Sequence, residues 1–104
     1  MGGRTDKGRA VTNYLTGSTG IPSLLWDGNR GSIDAPRPYV ISVTTARKLQ
    51  EFHDLIREEH KGTHIAIRYD RGMDSVADAW VGMTLHNFAP LLQTHYEITR
   101  RGNE

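Results

Sequence analysis

Hydrophobic positions along this chain change their spacing from one stretch to the next, and each change marks an expected element. Between residues 46 and 61 apolar side chains recur at intervals of three and four: Leu49, Phe52 and Ile56, with His53 and His60 on the flank. That period predicts an amphipathic helix. Thr44 or Thr45 stands where a side chain can cap its start, and Gly62 stands where a glycine ends a helix. Arg47 and Glu51 form a pair of opposite sign one turn apart. On either side the period falls to two. Residues 39–44 are rich in β-branched and aromatic side chains and follow Pro38, which predicts a strand. Residues 63–70 alternate, with Ile65, Ile67 and Tyr69 facing one way and His64, Ala66 and Arg68 the other, which predicts a second strand. Strand, helix and strand make a β-α-β unit, right-handed if the strands are parallel in one sheet.

The flanks are less regular. Residues 71–88 admit two readings. Asp74 heads a possible helix bearing Val76, Ala77, Trp80 and Met83, whereas Ala79, Val81, Met83 and Leu85 alternate as a strand. The second is favoured, as a strand over 79–86 hairpinned to 63–70, because Gly82 weakens a helix. Pro90 marks a helical turn at 89–93, and 94–99 alternates as a strand that closes the sheet. Residues 9–16 place Ala10, Val11, Tyr14 and Leu15 on one helical face, with a strand nearly as well supported. Residues 1–8 read as a polar tail. Between 17 and 38 glycines and prolines leave no room for a long element. One apolar knot, Ile21, Leu24, Leu25 and Trp26, interrupts this arm.

These elements predict a small α+β domain. One main helix packs on a sheet of three to four strands in a β-α-β-β core over 39–104, preceded at 1–38 by the tail, a short helix and the extended arm. The chain has 104 residues, enough for one domain. Its hydrophobic fraction is 37%, which implies a modest core drawn mainly from 39–98.

Charge and composition narrow the chemistry. Thirteen Lys and Arg face twelve Asp and Glu, a formal net charge of +1, so the basic excess of a nucleic-acid groove is missing. There is no cysteine, which excludes disulfides, thiolate metal sites and thiol catalysis. No run is long enough to span a membrane, and the polar start lacks the apolar core of a secretory signal. A cytoplasmic or virion location is expected.

Candidate chemistry is sparse. Asp70, Asp74 and Asp78 recur at fours and invite a hard cation, but Asp is also a common turn and cap residue. His53, His60 and His64 recur at seven and four, a spacing open to a metal, yet Gly62 interrupts the helix between the last two. His86 and His95 are possible general bases beside Asp70, Asp74, Asp78 or Glu97. No Ser stands in a nucleophile elbow. The Gly-x-x-Gly stretches at 17–20 and 28–31 lack the Lys-Ser/Thr of a P-loop and read as turns. No cofactor or metal is expected.

The run Ile-Pro-Ser-Leu-Leu-Trp-Asp-Gly at 21–28, then Ala-Pro-Arg-Pro-Tyr-Val-Ile-Ser-Val at 35–43 and a strand ending Arg-Tyr-Asp-Arg-Gly at 68–72 resemble small tail-completion proteins of long-tailed bacteriophages. The resemblance spans about residues 9–85 and implies a non-catalytic subunit of a tail or connector-type assembly. The helix expected over 46–61 departs from it, since those proteins have strand there.

Weighed together, these features predict a non-enzymatic interaction or assembly module that binds a protein partner or itself through Ile21, Leu24, Leu25, Trp26 and Tyr39. Large aromatic and aliphatic side chains of this kind anchor interfaces. Two alternatives remain. One is a nucleic-acid-binding or anti-defence regulator using Arg4, Lys7, Arg9, Arg100 and Arg101. The other is a small enzyme built on the His and Asp residues.

Overall fold

A computed structural model describes residues 3–102, with side chains described for 6–101. The chain runs α1 (Gly3–Thr19), β1 (Leu25–Asp27), β2 (Ser32–Asp34), β3 (Tyr39–Thr44), α2 (Leu49–Ile56), β4 (Thr63–Arg68), a short 3-10 turn (Val76–Asp78), β5 (Trp80–Gly82) and α3 (Leu85–Gly102). The five strands form one mixed sheet in the order β1-β2-β3-β4-β5. β3 and β4 are parallel over six residue pairs, from Tyr39 against Thr63 to Thr44 against Arg68; every other pairing is antiparallel. The α+β class and the central β-α-β-β order are those expected from the sequence, with five strands rather than three or four.

Period-two alternation divides the sheet into two unlike faces. On one face Ile33, Ile41, Val43 and Ile67 bury together with Val11 of α1 and with Leu24. On the other, α2 covers only part of the surface. Ser42, His64, Ala66 and Arg68 are buried there, and Phe52 is the buried anchor of the helix. Gly82 of β5 makes room for α2, because a Cβ there would stand 2.8 Å from the Phe52 ring and closer still to Ile56.

Several expected elements take a different form. The N-terminal helix is longer than 9–16 and absorbs most of the expected polar tail, residues 1 and 2 of which lie outside the described residues. Its threonines are accommodated because Thr12, Thr16 and Thr19 donate their hydroxyls to the carbonyls of Gly8, Thr12 and Leu15, one turn back. The arm at 17–38 is a hairpin built onto the sheet. The Asp27 carboxylate accepts the backbone N–H groups of Asn29 and Arg30, Gly31 takes a φ of 67°, and β2 then pairs with β3. Val11, Leu24 and Ile33 therefore bring residues before 39 into the core, beside Ile41, Val43, Phe52, Ala66 and Ile67 from the expected 39–98 stretch.

The main helix is confined to Leu49–Ile56, well inside the expected 46–61. Arg68 holds the chain ahead of it extended, donating from Nε to the Ala46 carbonyl at 2.7 Å and from Nη2 to the Arg47 carbonyl at 2.8 Å. Lys48 becomes the N-cap residue, with no side-chain cap, so neither Thr44 nor Thr45 fills that role. Gly62 lies beyond the helix end, with φ at 121°, and a Cβ there would collide with the Pro38 carbonyl oxygen.

The C-terminal third departs furthest. The strand expected over 79–86 shrinks to Trp80–Gly82, antiparallel to β4 as foreseen. Ser75, not Asp74, heads the short turn that precedes it. The helical turn at 89–93 and the strand at 94–99 are both parts of α3. Thr84 sets its start, since its hydroxyl accepts the Asn87 N–H at 3.2 Å and its carbonyl accepts the Phe88 N–H. Pro90 lies inside the helix rather than at its first position.

Candidate functional site

α3 is an 18-residue helix whose side chains find little of the rest of the chain. Between Leu85 and Arg101 only Asn87 and Leu91 are half-buried, and every other side chain is exposed. The molecule is accordingly long, 50 × 27 × 25 Å, with a radius of gyration of 14.3 Å, against about 13 Å for a closely packed chain of this length.

The exposed side chains are not randomly placed. Leu85, Phe88, Leu92 and Tyr96 follow spacings of three, four and four, so they form a stripe along one face. Leu91 and Ile98 widen it on one flank. Gln93, Thr94, Glu97 and Arg101 lie on the opposite side. Leu85 is 79%, Leu92 53% and Tyr96 61% exposed, values normal for lysines rather than for a helix that has found its core. Sequence reasoning missed this stripe because Tyr96 and Ile98 also alternate, and the short window 94–99 was read at period two. A window opened at Thr84 shows the helical period over four turns.

Next to α3 lies a second apolar surface. Leu49, Phe52, His53 and Ile56 line a groove of about 500 Å³ along α2. The Trp80 ring of β5 lies 6.4 Å from that of Phe52. Leu49 and Trp80 are both more than half exposed.

The residues expected to form an interface are distributed differently. Leu24 is buried in the core, and Ile21 and Trp26 pack partly against it. The Trp26 ring lies on Gly8 of α1, where a Cβ would overlap it. Leu25 and Tyr39 are open to the surface. Of the basic residues, Lys7 lies over the Tyr69 ring at 4.1 Å, Arg9 is exposed on α1, and Arg100 and Arg101 are exposed at the end of α3. The side chain of Arg4 falls outside the described residues.

The titratable candidates also separate. Asp70 is buried in an ion pair with Arg68 and accepts the Gly72 N–H at 2.6 Å, while Asp74 and Asp78 are exposed. His53 lies beside Asp54 on the open side of α2, and His86 and His95 are exposed on α3. His60 and His64 do meet, with ring centroids 4.1 Å apart. Among the described residues no group of three His, Asp or Glu is arranged to hold a metal ion.

One polar contact was not foreseen. His64 Nε2 lies 2.9 Å from the Ser42 hydroxyl, across the β3–β4 pair, beside a cleft of about 730 Å³ that Ser42 and His60 help to line. The strand alternation alone places Ser42 and His64 on one face, and that was the available signal. Burial holds the His64 imidazole below its ordinary value, His60 acts in the same direction, and Glu58 opposes both. His64 Nδ1 is buried without a hydrogen-bond partner. A base in a Ser–His pair is oriented by a third group at the far nitrogen, and among the described residues none meets His64 Nδ1.

No protein-family model, curated protein or solved structure matches this chain. The resemblance of its segment order to tail-completion proteins rests on the sequence alone.

Proposed function

We propose that this chain is a non-enzymatic protein–protein interaction or assembly module that binds through the apolar face of α3. The observation that carries this reading is the stripe Leu85, Phe88, Leu92 and Tyr96, exposed along an amphipathic helix that stands off its own sheet. Such a helix is not self-sustaining. Most helical stability in proteins comes from packing an apolar face, and even favourable peptides of about 15 residues are marginal in water. Pro90 in the interior removes one backbone bond and costs roughly 3 kcal/mol. α3 therefore needs a surface to lie on, and helix-in-groove recognition supplies one. A small subunit that joins an assembly, as the tail-completion likeness implies, belongs to the same class. The test places a photoreactive residue at Leu92 and, separately, at Gln93 on the polar face, in the cells that make the protein. Defined protein adducts from position 92 and none from 93 are expected. No adduct from 92 would overturn the reading.

A further inference from the structure

We propose that the segment 57–62, which joins α2 to β4, is an acid-released latch: the packed His60–His64 pair holds it closed, and a proton on both rings lets it open. Strand alternation sets up the pair. His64, near the start of β4, points to the α2 face of the sheet and is only 3% exposed. Its Nε2 lies 2.9 Å from the Ser42 hydroxyl of β3, and its Nδ1 is buried without a hydrogen-bond partner. The His60 ring lies against it, with centroids 4.1 Å apart and planes at 45°. His60 Nε2 in turn lies 3.6 Å from the Glu58 carboxylate. Little else holds the segment. At one end Arg57 and Glu58 donate their N–H groups to the His53 and Leu55 carbonyls, and at the other Thr63 donates to the Pro38 carbonyl. Between these ends, among the described residues, no backbone-to-backbone hydrogen bond involves 59–62. Glu58, Glu59 and Lys61 are exposed, which leaves the His60 ring as the inward contact.

The segment is also a partition. Glu58 and His60 line both the cleft of about 730 Å³ beside Ser42 and a second cavity of about 490 Å³ at the start of α3, which His64 borders. Releasing the segment opens the wall that the two share. Neutral rings pack there at no electrostatic cost. Two charged rings at this distance repel, and a buried His64 has neither water nor an acceptor at Nδ1 to take up its charge. Arg57 and His86 face the same cavity and add in acid to the positive side, while Glu59 adds to the negative. Glu58 favours a charged His64, but burial and then His60 outweigh it and hold His64 below its ordinary value of 6.5. In the open form that restraint is gone. Below pH 6.5 the open form therefore takes up a proton that the closed form resists. Opening gains about tenfold for each unit the pH falls, until the closed form titrates as well.

Nuclear magnetic resonance of the full chain tests the latch, with imidazole titration and backbone nitrogen relaxation followed from about pH 7.5 to 5. In the wild type His60 and His64 are expected to titrate as a coupled pair in two steps. As the second step passes, the order parameters of 58–62 are expected to fall from about 0.85 to below about 0.6, while those of β3 and β4 hold. His60→Phe keeps a ring against His64 but cannot take a proton. In it His64 is expected to titrate in one step, closer to 6.5 than in the wild type, and the segment to stay ordered to about one pH unit lower. In His64→Gln the segment is expected to stay ordered throughout. A wild-type segment that stays ordered over the whole range would overturn the latch. So would release at the same pH in wild type and His60→Phe, release that persists in His64→Gln, or loss of β3 and β4 together with 58–62, which is unfolding rather than local opening.

Discussion

Replacing Arg68 by Ala tests how the polar face of the sheet is held. Arg68 and Asp70 are both buried and paired. The same guanidinium also ties down the chain ahead of α2 through the carbonyls of Ala46 and Arg47, at 2.7 and 2.8 Å, and lies 4.9 Å from the Trp80 ring centre. Removing it leaves the Asp70 carboxylate buried with one remaining donor, the Gly72 N–H. Breaking a buried pair on one side typically costs 3–5 kcal/mol, roughly, because an uncompensated charge remains. The surviving hydrogen bond at Asp70 argues for the lower end, about 3 kcal/mol. That is a large share of the roughly 5–15 kcal/mol that holds a domain together. Urea unfolding followed by tryptophan fluorescence measures it. With a slope of about 1–3 kcal/mol per molar, the midpoint is expected to fall by more than about 1 M. The double variant Arg68→Ala/Asp70→Ala removes the stranded charge as well, so its loss is expected to be smaller than the sum of the two single losses. A loss below about 1 kcal/mol for Arg68→Ala, or strict additivity of the pair, would refute the reasoning.

Further outcomes follow from single sites. Gly62→Ala places a Cβ on the Pro38 carbonyl oxygen at a φ of 121°, and is expected to cost at least about 1–3 kcal/mol in thermal or urea unfolding; a neutral result would mean the β3–β4 entry can rearrange. His64 is held below its ordinary value of 6.5 by burial. Above that pH the ring is neutral in both folded and unfolded chains, whereas below it the unfolded chain takes up a proton that the folded one resists. Stability is therefore expected to fall as the pH drops from 6.5 toward the folded-state value, and His64→Gln to flatten that decline in a series of unfolding curves; an unchanged decline would clear His64 of the effect. Thr84→Ala removes the hydroxyl that accepts the Asn87 N–H and is expected to cost about 1 kcal/mol of α3 stability, seen as lost helical circular dichroism without a change in the sheet's near-ultraviolet signal.

The parts of this fold that were legible in the sequence are those where one period runs unopposed. β3, β4 and the Leu49, Phe52 and Ile56 stripe of α2 stand where their spacing put them. The limits of α2 were not legible, because they depend on Arg68, more than ten residues away, drawing the 46–47 backbone out of the helix. The arm gave the same difficulty. The Gly28–Gly31 stretch is a turn as expected, whereas 17–19, also expected as a turn, continue α1; pairing of β2 with β3 is a contact between segments, and pattern along one segment does not report it. For the candidate site, the chosen apolar knot did contain strong anchors, and Leu24 and Trp26 spend that strength on the protein's own α1 and sheet. The surface that is left open, α3, was divided at Pro90 because proline is a frequent helix starter; the Thr84 cap and four turns of apolar spacing outweigh it.

The most direct measurement is hydrogen exchange of the α3 amides at several protein concentrations. Amides from about Phe88 to Arg101 are expected to be protected when the chain is associated and to lose protection on dilution or in Leu92→Asp, while those of β3 and β4 keep theirs. Protection of α3 that persists in the dilute monomer would mean that the helix packs on its own chain, and that result contradicts the account.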